Sequence, residues 1–179
     1  MTTTDAAFLF ADLVGFTAFT EEHGDDAAAD LALSFCDRVC ELNRGHRASD
    51  VKLLGDASLI YVPDPELAVD LALHIVEEIG PVAGFPKVRV GGHFGPAVER
   101  GGDWFGTTVN AASRIVAIAD EGSAVVTGAI AEAAADLPGV SFEFAGARQL
   151  RGLSAPLELF RATRQTEPTT THVALGLSK

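Results

Sequence analysis

The segment GGDWFGTTVNAASRI, residues 101–115, joins two glycines to a run with helical periodicity. Projected at about 100° per residue from Gly106, its apolar residues fall on one face, as packing on a core requires. Thr107, Asn110 and Arg114 fall on the opposite face, with Asn110 and Arg114 one turn apart. The pattern predicts a helix that begins directly after Gly106 and turns Asn110 and Arg114 away from its own core. A solvated polar face on which Arg114 caps a nearby group is the alternative interpretation.

Elements upstream of this segment alternate between strand and helix patterns. An apolar strand (residues 6–13) has hydrophobic residues on both faces, and an amphipathic helix (25–43) follows it. Two β-rich runs around Gly55 predict a hairpin. A second helix is capped by Asp64, and the strand 87–99 then leads into the quoted segment.

The order β-α-β-β-α-β predicts an α+β fold with a ferredoxin-like core, to which C-terminal strands and a helix are added. The chain has 179 residues, 47% of them hydrophobic, which suffices for one domain with a substantial core. We expect this domain to span residues 1–163. The polar residues 164–179 are predicted to form a flexible C-terminal tail.

Composition and charge argue against several kinds of partner. The net charge is −12 and no stripe of Lys and Arg is present, so nucleic acid is not an expected partner. No apolar run approaches the roughly 20 residues that span a bilayer, and the N-terminus lacks the features of a signal peptide. The sequence therefore predicts a cytoplasmic protein with no membrane partner. The five histidines lack paired ligand spacing and are interpreted as structural or surface residues.

Two acids are candidates for a metal site. Asp12 continues the row of Phe8 and Phe10 at the end of the first strand, where a carboxylate is costly unless compensated. Asp56 lies at the predicted hairpin tip, which neighbours that strand end in a ferredoxin-like sheet. Converging carboxylates suit Mg²⁺ or Mn²⁺. The alternatives are an Asp12 bonded to turn amides and an Asp56 that is an ordinary turn residue.

Other polar groups flank these acids. The turn VGFT leads into a short helical pattern, and free amides at Phe16 and Thr17 would hold phosphate oxygens there. Lys52 lies four residues before Asp56; a strand lysine is commonly an edge residue that extends to solvent, which is the alternative to a site role. Asp103 is predicted to be a loop residue that leads into the helix after Gly106.

The motifs, taken in order, resemble the catalytic domain of class III nucleotidyl cyclases from about Ala6 to Ala162. The resemblance is carried by FADLVGFT (10–17), KLLGDASLIYV (52–62), VRVGGHFGPAV (88–98), GDWFGTTVNAASR (102–114) and LRGLSAPLELF (150–160). The opening GGDWF also resembles the GG(D/E)EF signature of diguanylate cyclases. That family has a β-strand after the acid and the aromatic residue, whereas a helix is predicted here.

The resemblance implies metal and base-reading roles for four residues. Asp12 and Asp56 would hold two divalent cations, Mg²⁺ or Mn²⁺. Lys52 would donate to a ring nitrogen of adenine, and Asp103 would accept from its exocyclic amine. Guanylate cyclases normally have Glu and Cys in place of this pair, so the resemblance favours ATP.

It also implies roles for the sugar and phosphate contacts. Asn110 would position the ribose, and Arg114 would stabilise the charged transition state at phosphorus. Arg151 would contact the terminal phosphates, where the family often has lysine.

The implied function is an adenylate cyclase that converts ATP to 3′,5′-cyclic AMP and pyrophosphate through attack of the ribose 3′-hydroxyl on the α-phosphorus. In the family, one protomer supplies the metal carboxylates, and its partner supplies the base-reading, Asn and Arg residues. The resemblance therefore implies a head-to-tail homodimer with composite sites. A non-catalytic nucleotide-sensing or dimerisation module, and a guanylate or dual-specificity cyclase, are the alternatives.

Overall fold

The computed structural model describes residues 3–46 and 50–165, and within these ranges eight strands belong to one sheet. The strands are β1 (Thr3–Leu13), β2 (Asp50–Leu54), β3 (Ala57–Val62), β4 (Val88–Arg100), β5 (Asp103–Phe105), β6 (Ala124–Thr127), β7 (Val140–Arg148) and β8 (Leu157–Arg164). The helices are α1 (Phe16–His23), α2 (Asp25–Asn43), α3 (Pro65–His74), α4 (Thr107–Ile118) and α5 (Gly128–Ala133).

The strand order confirms the predicted fold class. The main path of the sheet runs β2-β3-β1-β4-β6-β8-β7, and β5 pairs with β4 outside this path. The first four strands of this path have the order of a ferredoxin-like sheet, with the long strand β1 between β3 and β4. Strands β6, β8 and β7 are the C-terminal additions, and β6 joins β4 in parallel.

Helices cover both faces of the sheet at β1. Leu9 and Ala11 belong to a core with residues of α2 and α3. Phe8 and Phe10 point to the other face, where they pack with Val109 and other residues of α4. This burial on both sides explains why β1 reads as a nearly continuous apolar run.

The predicted helices have the expected starts. Helix α2 has the predicted bounds, 25–43. At the start of α3, the Oδ1 atom of Asp64 accepts a hydrogen bond from the Glu66 amide at 2.8 Å, so the predicted cap is confirmed. The end of α3 differs from the expectation, because the α-helical pattern stops at His74 and continues as a π-helical turn, Ile75–Ile79.

Strand β8 is the last element of the described residues. Strand β8 ends at Arg164, one residue beyond the expected domain end. The predicted tail, residues 164–179, lies outside the described residues except for its first two positions. None of the described helices is both long and apolar enough to cross a bilayer.

At Gly91, helix α4 lies so close to β4 that no side chain would fit between them. A Cβ atom at Gly91 would lie 2.2 Å from the Val116 amide nitrogen and 2.6 Å from the Val116 Cα atom. Both atoms belong to the helix backbone, which cannot yield as a flexible side chain would. The position therefore requires glycine for packing, and the contact fixes how α4 sits on the sheet.

We expect Gly91→Ala to destabilise the fold, because the added methyl group must push α4 off β4. Overpacking typically costs about 1–3 kcal/mol, and a rigid backbone neighbour places this site at the upper end of that range. Urea unfolding followed by circular dichroism measures the effect. Gly128→Ala is the matched control, since a Cβ there meets no atom closer than 3.6 Å. Equal unfolding midpoints for the two variants would contradict the assigned contact.

Candidate active site

The two predicted metal ligands are neighbours. In the register of β1 and β3, Asp12 pairs with Ala57, which directly follows Asp56 at the hairpin tip. The Leu13 amide donates to the Asp56 carbonyl oxygen at 3.4 Å, which joins the end of β1 to this turn. The strand order thus brings two carboxylates to one end of the central strand.

The environment of Asp12 disfavours the ionised, negatively charged form of its own side chain. Burial raises the pKa of Asp12 above its ordinary value; the Arg89 guanidinium opposes this rise, and the charge of Asp56 adds to it. The side chain is only 14% exposed. A pair of carboxylates with this mutual repulsion has the oxygen donors that a hard divalent cation requires, so the residues fit such an ion.

Arg89 is a site residue that sequence reasoning missed. It pairs with Asp12 across β1 and β4, and its Nε and Nη2 atoms lie 2.8 and 2.6 Å from the same Asp12 oxygen, Oδ2. Its Nη1 atom donates to the Ala117 carbonyl oxygen at 3.3 Å. The only signal in the sequence is an arginine among apolar residues of β4. The position of that arginine opposite Asp12 depends on strand register, which the sequence does not specify.

Lys52 and Asp103 form an ion pair. The Lys52 Nζ atom lies 2.5 and 2.6 Å from the two carboxylate oxygens of Asp103, although 51 residues separate them in sequence. The two side chains are 47% and 39% exposed. The structure therefore brings the two predicted base-reading residues together at the surface.

The prediction that Asp103 lies in a loop is wrong. Asp103 begins β5 and pairs with Arg100 across a tight turn formed by Gly101 and Gly102, which both have positive φ. These two glycines close a short hairpin on the end of β4. Helix α4 still begins at Thr107, directly after Gly106, as predicted.

Aromatic rings pack beside the ion pair of Lys52 and Asp103. Tyr61 and Trp104 stack with ring centroids 4.4 Å apart, and Phe8 packs edge-on against Trp104 at 5.4 Å. A small cavity of about 20 Å³ lies between the ion pair and this stack, and it is lined by Lys52, Leu59, Tyr61, Gly102, Asp103 and Trp104. No role for Tyr61 or Trp104 was predicted from the sequence.

The polar face of α4 points away from the core, as predicted. Asn110 is exposed and Arg114 is partly exposed, whereas Val109, Ala112 and Ile115 are buried. Within the described residues, Arg114 has no ion pair or hydrogen bond from its side chain, so its guanidinium charge is not neutralised. The alternative interpretation of Arg114 as a capping group has no support in these contacts.

The turn between β7 and β8 lies against Arg114. A Cβ atom built on Gly152 would lie 3.5 Å from the Arg114 Nη2 atom. The predicted phosphate contact Arg151 is exposed and directly precedes Gly152. The fold therefore places the backbone of this turn, and not a carboxylate, beside the Arg114 charge.

Helix α1 follows β1, the strand that carries Asp12. Gly15 precedes it in the left-handed conformation (φ 77°), and no side chain of the described residues caps its first turn. Phe16 lines a cavity of about 490 Å³ together with Leu53 and Gly55, so the start of the helix lies beside the hairpin that carries Asp56. The first residues of α1, Phe16 and Thr17, thus follow Asp12 closely in the chain and lie at the helix end nearest this hairpin.

Asp12→Asn is expected to raise the melting temperature of the metal-free chain at neutral pH. Because the native pKa of Asp12 is raised, the folded chain holds this proton more readily than the unfolded chain, and the ionised carboxylate costs stability. The difference from wild type should vanish as pH falls below the ordinary value of 3.8. Each kcal/mol corresponds to roughly 2–4 °C.

Thermal unfolding in a chelator across this pH range makes the measurement. Asp5→Asn, at an exposed position of the same strand, is the matched control and should leave the melting temperature unchanged. A lower melting temperature for Asp12→Asn at neutral pH would mean that the Arg89 ion pair outweighs burial and repulsion.

Comparison with known proteins identifies the class. The model of a family described as the adenylate and guanylate cyclase catalytic domain matches residues 1–160. The chain therefore belongs to this family, and the predicted class III cyclase domain is confirmed.

Two relatives carry more specific names. A pH-sensitive adenylate cyclase of Mycobacterium tuberculosis (strain CDC 1551 / Oshkosh) is 40% identical over 87% of this chain and 40% of its own length. An adenylate cyclase of Streptomyces griseus is 40% identical over 69% of this chain and 31% of its own length. The chain thus spans less than half the length of either protein. The predicted enzyme class, a class III cyclase, agrees with the family and with these relatives.

Solved structures confirm the fold. The adenylyl cyclase CyaB from P. aeruginosa has a TM-score of 0.78 and 16% identity, covering 93% of this chain and 98% of that one. The guanylate cyclase domain of RhGC from Catenaria anguillulae, in complex with GTP, has a TM-score of 0.81 and 19% identity, covering 93% and 100%.

Proposed function

We propose that this chain is an adenylate cyclase domain that converts ATP to 3′,5′-cyclic AMP and pyrophosphate. The observation that carries the proposal is the juxtaposition of Asp12 and Asp56 at the end of the central strand. The family membership and the relatives named adenylate cyclase support the same reaction.

Asp12 and Asp56 would hold two divalent cations, Mg²⁺ or Mn²⁺. When bound, these ions supply the charge that acidifies the ribose 3′-hydroxyl and neutralises the departing pyrophosphate. The chain's own contribution is to keep the two carboxylates together and ready for the ions. Arg89 provides the counter-charge for Asp12 in the free chain, and it must give up part of this contact when a cation arrives.

Lys52 and Asp103 would read the adenine edge. An ion pair this exposed contributes little stability, typically below about 1 kcal/mol, so a base can separate the two side chains at low cost. Lys52 would then donate to a ring nitrogen, and Asp103 would accept from the exocyclic amine. The stacked rings of Tyr61 and Trp104 close the cavity beneath them and keep the pair at the surface.

Asn110 and Arg114 would act on the sugar and the reacting phosphorus. Phosphoryl-type transfer requires positioning and charge stabilisation more than covalent help from the protein. Arg114 has no neutralising partner among the described residues, so its full charge is available to the transition state. The backbone amides of Phe16 and Thr17, together with Arg151, would bind the phosphates that do not react.

A head-to-tail homodimer would assemble the complete site. Asn110 and Arg114 face away from the chain's own core, and neither Asp12 nor Asp56 is among the residues that line the cavity at Lys52. One protomer would therefore supply Asp12 and Asp56, and its partner would supply Lys52, Asp103 and the polar face of α4. Two such composite sites would lie at the interface.

Arg114→Ala should lower the turnover of ATP to cyclic AMP by about 10³-fold, with a much smaller change in KM, because the lost charge acts mainly in the transition state. Product formation with Mn²⁺ as the metal is the assay, and competition with GTP in the same assay tests the choice of base. Arg44→Ala, at an exposed turn, is the matched control and should keep wild-type turnover. Absence of cyclic AMP from the wild-type chain would count against catalysis and favour a nucleotide-sensing module.

Mixing two inactive variants tests the shared sites. In a heterodimer of Asp12→Ala and Arg114→Ala chains, one site receives both substitutions and the other receives none. An equal mixture should therefore regain about a quarter of the wild-type activity per chain once subunits exchange at random.

The matched control places both substitutions in one chain and mixes it with wild type. That heterodimer has one substitution in each site, so the added chain should suppress activity instead of restoring it. If the two single variants exchange subunits, measured by light scattering or crosslinking, and activity does not return, the composite arrangement is wrong.

A further inference from the structure

Three potential metal ligands converge on the sheet face that carries α2 and α3. His46 follows the end of α2, and Asp70 and His74 lie one turn apart on α3. The His46 Nε2 atom is 2.9 Å from the Asp70 Oδ2 atom and 3.0 Å from the His74 Nδ1 atom. The His74 Nδ1 atom is 3.7 Å from the same Asp70 oxygen. These groups play no part in the proposed cyclase site.

The protonation of His46 leaves a lone pair at the centre of this group. Its Nδ1 atom lies 2.8 Å from the Leu42 carbonyl oxygen, which only accepts hydrogen bonds, so Nδ1 must carry a proton. In a neutral His46 the Nε2 atom is then unprotonated, and it faces a carboxylate oxygen. Two lone pairs at 2.9 Å require a positive species between or beside them, which is either the shared proton of a His–Asp hydrogen bond or a metal ion.

The spacing of the three atoms fits a four-coordinate ion. Zinc binds imidazole nitrogen at about 2.0–2.1 Å and carboxylate oxygen at a similar distance, and tetrahedral geometry then separates ligand atoms by about 3.3–3.5 Å. The observed separations of 2.9, 3.0 and 3.7 Å bracket this value. Small side-chain rotations would make them equal.

The groups that accept from or donate to the other atoms of these ligand side chains are typical of metal sites. The Leu42 carbonyl oxygen orients the His46 ring through its second nitrogen, an arrangement typical of metal-bound histidine. Arg164 donates to the other carboxylate oxygen of Asp70, Oδ1, at 2.7 Å, and leaves Oδ2 for the site. Both contacts restrict the orientation of the ligand side chains.

We propose that His46, Asp70 and His74 bind one divalent ion of the zinc class, with water in the fourth position. Two imidazole nitrogens and one carboxylate favour Zn²⁺ or a similar ion over Mg²⁺, which prefers oxygen ligands. His46 is buried, whereas the Asp70 and His74 side chains are 31% and 34% exposed, so the ion reaches solvent from one side and can exchange. The ion links the end of α2 to α3.

Cobalt titration tests the proposal in the full chain. The Asp12→Asn background removes one carboxylate of the proposed cyclase metal site, so that binding reports the histidine site. One Co²⁺ per chain should bind, with the intense visible absorption of four-coordinate cobalt, and Zn²⁺ should displace it. Adding His74→Gln should weaken binding by more than about 100-fold, since loss of even an outer-shell partner costs 10–100-fold.

The matched control is His23→Gln, because His23 is exposed and, among the described residues, its hydrogen bond and its ring contact are both with Phe19 of its own helix. It should leave Co²⁺ binding unchanged. Asp70→Asn provides a second test that keeps the side-chain shape if His74→Gln fails to fold. Unaltered binding in both ligand variants, or a wild-type ligand set that binds no Co²⁺ at micromolar concentration, overturns the proposal. A melting temperature that responds to acid and not to Zn²⁺ also overturns it, because a proton then occupies the cluster.

Discussion

The contact between the backbone of α4 and Gly91 of β4 is the constraint on which the candidate site depends. No side chain separates the backbone of α4 from the backbone of β4 at Gly91, so no side chain can adjust if the helix rotates. Rotation would therefore produce a steric clash or a cavity. The buried face of α4 is consequently fixed, with Ala111, Ala112 and Ile115 inward. Asn110 and Arg114 therefore point outward for a packing reason, before any ligand is considered. The outward orientation of the polar side chains of α4 therefore depends on Gly91, a residue that has no functional group.

The acid pair follows from a second constraint, the position of β1 at the centre of the ferredoxin-like order. A central strand has a neighbour on each side, so its last polar residue meets a hairpin tip on one side and β4 on the other. Asp12 accordingly has Asp56 as a repulsive neighbour and Arg89 as an attractive one. Burial and repulsion raise the pKa of Asp12 even though Arg89 opposes the rise. Asp12 is therefore a carboxylate whose negative charge is not fully compensated within the chain, an environment that a bound cation would stabilise.

The sequence predicted what depends on local periodicity and missed what depends on pairing between distant segments. Helix α2 and the outward face of α4 were predicted from hydrophobic periodicity, and the Asp64 cap was predicted from the residues beside it. Each of these predictions used only residues that are close together in the sequence. Strand β5 was missed because three residues carry no periodic signal, and its partner is the end of β4. The role of Arg89 was missed because the register of β1 against β4 is a tertiary property. The His46, Asp70 and His74 group was missed for the same reason, since His46 lies 24 residues before Asp70.

The two proposed ion sites differ in ligand chemistry, which allows one small domain to keep them distinct. Asp12 and Asp56 offer carboxylate oxygens beside the turn into α1, whereas the histidine cluster offers two nitrogens and one oxygen among α2, α3 and β8. Hard ions such as Mg²⁺ bind imidazole poorly, so Mg²⁺ at the acid pair would not compete for the histidine site. The reverse discrimination is weaker, because zinc also accepts carboxylates. An arginine lies beside each site: a cation must displace the charge-assisted contact of Arg89 to reach Asp12, whereas Arg164 contacts Oδ1 of Asp70 and the histidines contact Oδ2.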